Sequence, residues 1–136
     1  MIRKRKFSIL LLAIIILISF FNVNSYSQKS KKNILILCSY NSENVWEHSI
    51  VEEVKRNLKN ANIKVDFLDS TSSDSDIYNE SFMKLLNIKY KNEDIDCILT
   101  IDDEALNFVR HNLFNKDSFM YKKPIVFVGV NSYISL

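Results

Sequence analysis

The 136-residue chain contains a single glycine, Gly129, and a single proline, Pro124. Average usage of these residues is about 7% and 5%, so collagen-like, linker-like and glycine-loop architectures are excluded. With one glycine there can be no G-x-G-x-x-G or Walker phosphate loop and no G-x-S-x-G nucleophile elbow. Two cysteines and two dispersed histidines, His48 and His111, provide no Cys/His cluster at metal-ligand spacing. No nucleophile–base pair is visible either, which leaves an exported hydrolase as the least supported option. Neither an enzyme nor a bound metal or cofactor is expected. After residue 27, blocks of like charge beyond the short Lys29-Ser30-Lys31-Lys32 stretch are missing too, so nucleic acid and anionic lipid are not expected partners.

What is present begins with a targeting segment. Arg3, Lys4, Arg5 and Lys6 precede an uncharged run of 15 residues from Phe7 to Phe21, and polar NVNSYSQ follows. Residues 1–27 therefore read as a signal peptide or an N-terminal membrane anchor. Val23-Asn24-Ser25 and Ser25-Tyr26-Ser27 offer small residues for cleavage, whereas Phe7 to Val23, at 17 residues, reaches the lower length of a membrane-spanning helix. In both cases the remainder is extracytoplasmic, because the positive flank stays inside. Cys38 is no lipoprotein cysteine: it lies well past the apolar run and follows bulky Leu37. Taking away residues 1–27 leaves 14 basic against 16 acidic side chains, a net of −2, so the overall charge of +2 belongs to the targeting segment.

With 47% hydrophobic and 25% charged residues, the rest has the composition of one domain with a modest core. After a linker at 28–32, residues 33–136 alternate two periods. Asn33 to Tyr40 is a continuous apolar run of strand length, as in a parallel strand covered on both faces. Trp46, Ile50, Val54 and Leu58 then recur every four residues and predict a helix from about Asn44 to Asn60, with Asn44 and Glu47 placed as a capping box. A second strand spans Ile63 to Leu68. A second helix carrying Tyr78, Phe82, Leu85 and Leu86 runs toward Lys91. A third strand (Ile95 to Ile101), a third helix (Asp102 to Leu113, with Leu106, Val109 and Leu113 inward) and a fourth strand (Ile125 to Val130) complete the order βαβαβαβ. The fold class is α/β: a Rossmann-like three-layer lobe with a parallel four-stranded sheet in the order 2-1-3-4 and helices on both faces. Cys38 and Cys97 then fall on neighbouring strands offset by about 10 Å. That is too far for a disulfide, which leaves two buried thiols.

Ligands of open parallel sheets gather at the carboxyl ends of the strands. That edge comprises Ser39-Tyr40-Asn41-Ser42, Asp69-Ser70-Thr71, Asp102-Asp103 and Asn131-Ser132-Tyr133. These hydroxyls, amides and carboxylates suit a small polar ligand, with Tyr40 and Trp46 as amphipathic walls. The same residue types also cap helices, and Asp102, Asp103 and Glu104 favour a positive helix terminus. Trp46 shares the stripe of Ile50 and Val54, which predicts that it packs in the core while lying beside the edge. The paired acids at 102 and 103 are not those of a phospho-accepting receiver domain, which also needs acids after its first strand where this chain has Ser39-Tyr40-Asn41.

Three segments together are similar to a known family. LILCSYNSENVWEHSIVEEV resembles the opening of extracytoplasmic sensor domains related to ABC-transporter substrate-binding proteins. IDDEALNFV resembles that family's D-[DE]-[DE]-A-x-x-F helix start, and PIVFVGVN its P-[IV]-V-F-x-G-V-N strand. The resemblance implies a periplasmic-binding-protein-like fold: two hinged lobes closing on a small molecule, serving a membrane permease or a sensor kinase. By position it makes Ser39, Tyr40, Trp46, Asp102, Asp103 and Asn131 the first lobe's share of the cleft. Two departures stand out. The turn after Tyr40 lacks the family's Pro-Gly, and the sequence stops six residues after Val130, where the family crosses into its second lobe. A first lobe alone is therefore expected. The alternative is a non-binding interaction lobe, or a fragment of a sensor histidine kinase or diguanylate cyclase without function of its own.

Overall fold

The computed structural model describes residues 31–72 and 75–131. The expected signal peptide or anchor, most of the linker, and Ser132 and Tyr133 of the expected edge lie outside the described residues. Among the described residues no helix is long and apolar enough to cross a membrane.

Four strands, β1 (Lys32–Cys38), β2 (Ala61–Phe67), β3 (Cys97–Ile101) and β4 (Ile125–Val128), alternate with α1 (Val45–Asn57), α2 (Asp76–Tyr90) and α3 (Asp103–Asn112). All strand pairs are parallel and the order is β2-β1-β3-β4, as the alternation of periods predicts. Leu35, Ile36, Leu37 and Cys38 have no exposed surface, which accounts for the unbroken apolar run: a central parallel strand is buried on both faces. Its odd and even residues serve different layers. Leu35 and Leu37 join Ile98 in a core with Met83, Leu86 and Tyr90 of α2 and Ala105, Phe108 and Val109 of α3. Ile36 and Cys38 join Ile101 and Val51 of α1, flanked by Ile50, Val54, Val65 and Phe67. Among the described residues, α1 packs on one face and α2 and α3 on the other.

Element ends differ from the periodic expectation by a few residues, as frayed termini do. Two inward assignments are corrected. Leu85 is exposed, because the buried stripe of α2 runs through Met83, Leu86 and Tyr90, and Leu58 is exposed as the C-cap of α1. Ser75 caps α2 through its hydroxyl, which accepts from the Tyr78 N–H at 3.2 Å.

The register pairs Cys38 with Ile101 and Ile34 with Cys97. The cysteines are thus four positions apart on adjacent strands, about 13 Å, and no disulfide links them. Cys38 is buried, and desolvation, followed by the charges of Glu47 and Asp66, pushes its thiol up to about 12. Cys97 is only half-buried, contrary to expectation, with a thiol also raised chiefly by burial. Thiols held protonated in this way are poor nucleophiles. Titration of the denatured chain without reductant is expected to find both sulfhydryls free. Finding neither would indicate a disulfide and overturn the register.

Candidate functional site

The carboxyl ends of the four strands meet along one edge, and the sheet order reverses between β1 and β3, where ligands of such sheets collect. Ser39, the first residue after β1, is still fully buried. Its hydroxyl donates to the Ile101 carbonyl at 2.7 Å and accepts from the Ala105 N–H at 2.8 Å. Ser39 therefore ties β1 to β3 and satisfies an orphan N–H in the first turn of α3. Expected as a ligand contact, it is engaged inside the lobe on both counts.

Glu47 departs from the local pattern as well. The Asn44 side chain accepts from the Glu47 N–H at 3.0 Å, which is half of a capping box. The returning half is absent. The Glu47 carboxylate instead accepts from the Ser39 N–H at 2.7 Å and the Tyr40 N–H at 3.0 Å, and the residue is fully buried.

Tyr40 is partly exposed beside Asp102. The negative charge of Asp102 holds the phenol above its usual pKa, with smaller contributions from burial, the charge of Glu47, hydrogen bonding to Asp102 and the charge of Glu104. Asp102 caps α3, its carboxylate accepting from the Asp103 N–H at 2.7 Å. The Asp103 carboxylate accepts from both the backbone N–H of Asn131 and its side-chain amide, 3.1 to 3.3 Å away. The turn after β4 is thereby fastened to the start of α3.

Trp46 is 46% exposed and is not a core residue. Its indole fills the space a side chain at position 129 would need: a β-carbon on Gly129 would stand 2.2 Å from the indole Cη2. Gly129 also has a φ of 74°, which disfavours any side chain there.

Backbone strain concentrates on the same edge. Asp69 after β2 has a φ of 53°, and Asp102 after β3 has a φ of 72° with a ψ of 174°, a region essentially reserved for glycine. Each such residue costs on the order of 1–3 kcal/mol and tends to occur at ligand sites. Asp69 Oδ1 is in addition buried without a hydrogen-bond partner among the described residues. Such an oxygen is an unmet demand for a donor. The residue types near Asp69 placed it on the edge, but neither its strain nor its orphaned oxygen has a signature in sequence.

Residues 39–44, 68–72, 102–104 and 129–131 carry Glu43, Asp69, Asp102, Asp103 and Glu104 and no lysine or arginine. Lysines pair with acids elsewhere, as in Lys32–Asp96, Lys64–Glu93, Lys89–Asp66 and Lys123–Asp94. A groove of about 680 Å³ adjoins this edge through Leu68, Ser70 and Glu104 and runs between α2 and α3 over Met83 and Phe108, with Asp76 and Glu80 on its rim. None of Ser39, Tyr40, Trp46, Asp102, Asp103 and Asn131 lines it. Five of those six, Ser39 aside, have exposed or partly exposed surface at the sheet edge. Among the described residues no three His, Cys, Asp or Glu side chains are grouped to hold a metal ion.

No protein-family model, curated protein or solved structure matches this chain. What the edge can do follows from its own groups. Its carboxylates and carbonyls accept hydrogen bonds, the amide of Asn131 and the phenol of Tyr40 donate them, and the Trp46 ring offers an apolar wall.

Gly129→Ala is expected to lose about 1–3 kcal/mol of stability through its positive φ and to shift the emission of Trp46, the one tryptophan of the chain, as the indole is displaced. Urea unfolding read by fluorescence checks both, and a variant with native stability and an unmoved spectrum would refute the contact.

Proposed function

We propose that residues 33–136 form an extracytoplasmic lobe that binds a small polar molecule at the carboxyl edge of its sheet. It does so as one half of a hinged domain of the ABC-transporter substrate-binding type, feeding a permease or a sensor kinase. The observation that carries this is Asp69. Its backbone is strained, one buried carboxylate oxygen has no partner, and it stands on the edge where an open parallel sheet takes its ligand. The strained Asp102 and the partly exposed Tyr40 and Trp46 surround the same edge. Further support comes from where the three family-like segments fall. They are β1 with α1, the end of β3 with α3, and β4 with its following turn, and each delivers its polar residues to this edge.

With several carboxylates and no base in these loops, the ligand that fits is one that brings hydrogen-bond donors, such as an amine or a polyhydroxyl compound. Isothermal titration of the full chain against amino acids, polyamines and sugars is expected to give heat with at least one of them. Asp69→Ala and Asp102→Asn should each weaken that binding by tenfold or more, about 1.4 kcal/mol. Heatless injections across the panel count against binding by this lobe.

A second role, as an interaction lobe, has one specific observation in its favour. Val126 and Val128 of the sheet-edge strand β4 are 54% and 37% exposed on the face that α1 only partly covers. Exposed apolar strand edges invite association. Light scattering on the size-fractionated full chain should then find dimers or larger species that Val126→Lys shifts toward monomer. A native chain that is already strictly monomeric would rule this role out.

A further inference from the structure

Glu47 is a buried carboxylate that forms no ion pair among the described residues. Charges so placed are normally matched by a cation or neutralised. Here the match is made by two successive backbone amides, Ser39 at 2.7 Å and Tyr40 at 3.0 Å, one on each carboxylate oxygen. The two amides belong to the turn between β1 and α1, which presents the Tyr40 phenol beside Asp102. The Ser39 residue so held is also the one that ties β3 and the start of α3 through its hydroxyl. One carboxylate thus underlies the turn that joins three of the elements forming the edge.

We propose that Glu47 is the positioning residue of the ligand edge: its ionised carboxylate holds the Ser39–Tyr40 turn, and protonating it lets that turn rearrange. The proposal rests on the carboxyl edge being the ligand site. A carboxylate has acceptor capacity on both oxygens, whereas a neutral carboxyl turns one of them into an O–H donor. The protonated oxygen is a weaker acceptor than a carboxylate oxygen, so the charge-assisted bonds to the two amides are weakened and the turn has cause to move. Burial raises the pKa of Glu47, and the negative charge of Asp102 adds to this. The amides of Ser39 and Tyr40 oppose it, and the net direction is upward from the ordinary glutamate value. The titratable groups that face it are Cys38 from β1, Tyr40 from its own turn and Asp102 from the turn before α3. Glu43 and His48, its neighbours along the chain, are exposed.

The linkage sign separates this rearrangement from acid unfolding. A carboxyl whose folded pKa lies above its unfolded one contributes stability that is fully present below the unfolded value and is lost as pH rises through the folded one. Protonating Glu47 on acidification therefore does not drive unfolding, and it releases the turn only into an arrangement that keeps the carboxyl buried without the two amides that lower its pKa.

Trp46, adjacent to Glu47 and packed on Gly129, is the only tryptophan and reports on this turn without any ligand. Its emission in the full chain, kept in a mild non-ionic detergent, is followed from neutral pH into acid, with far-ultraviolet circular dichroism recorded alongside. The expected result is one sigmoidal change in emission, centred above the ordinary glutamate range, with the helix signal constant. Glu47→Gln should be flat over the same interval, while His48→Gln keeps the transition and so removes the neighbouring imidazole as its source. Should Glu47→Gln fail to fold, Glu47→Asp retains a carboxylate one methylene shorter, and its transition should persist with a displaced midpoint. A native-like transition in Glu47→Gln, an unmoved midpoint in Glu47→Asp, a flat native profile, or loss of helix with the same midpoint would each overturn the proposal. None of these outcomes bears on whether titration with ligands gives heat.

Discussion

Everything in this lobe is arranged around the double burial of β1. Leu35 to Cys38 have no exposed surface, and each large apolar side chain so buried contributes roughly 1.5–3 kcal/mol. The strand's hydrogen-bonding edges are taken by β2 and β3, and its two faces by α1 on one side and α2 with α3 on the other. Because every neighbour runs parallel to it, all strand ends of one sense fall on a single edge. The place where polar loops and helix starts converge is a consequence of how the apolar centre is covered.

Burial does not stop where the strand stops. Ser39 is still at zero exposure, and a buried hydroxyl and amide require partners within the protein. The Ile101 carbonyl, the Ala105 amide and the Glu47 carboxylate meet that demand. The network beneath the edge is thus set by the apolar strand above which it sits, and leaves the partly exposed Tyr40, Asp69 and Asp102 to face outward. Among the described residues, Asp69 Oδ1 and the Thr100 hydroxyl of β3 are the points at which this internal matching is incomplete.

The layers, the strand order and the lack of a Cys38–Cys97 disulfide are legible in the sequence because they depend on period and spacing, although the register sets the cysteines one position further apart than spacing predicts. The same logic misplaces Trp46. A four-residue spacing puts it on the stripe of Ile50 and Val54, but in its first turn α1 overhangs the sheet, and the indole meets Gly129 in place of core side chains. The role of Glu47 was hidden by a local motif. Three residues after Asn44 it fits a capping box, whereas its partners lie seven and eight residues upstream and become neighbours only once α1 folds back over the sheet. The strain at Asp69 and Asp102 has only a weak residue-type signal, since Asp adopts positive φ more often than most residues but glycine announces it best, and of the three such positions on this edge only Gly129 complies.

The register of β1 has a consequence for assembly. Ile34 lies beside Ile63 and Cys97, 29 and 63 positions further along the chain. The earliest strand in the sequence therefore waits for a partner 63 positions further on before both of its edges are paired, and pairings of such long range close large loops before they return any contact energy. No sheet with a covered centre can exist until residue 101 has joined it. A chain emerging from its amino terminus, through a ribosome or a translocation channel, would stay an unfinished, threadable polymer for most of its length and acquire its tertiary structure late and in one step.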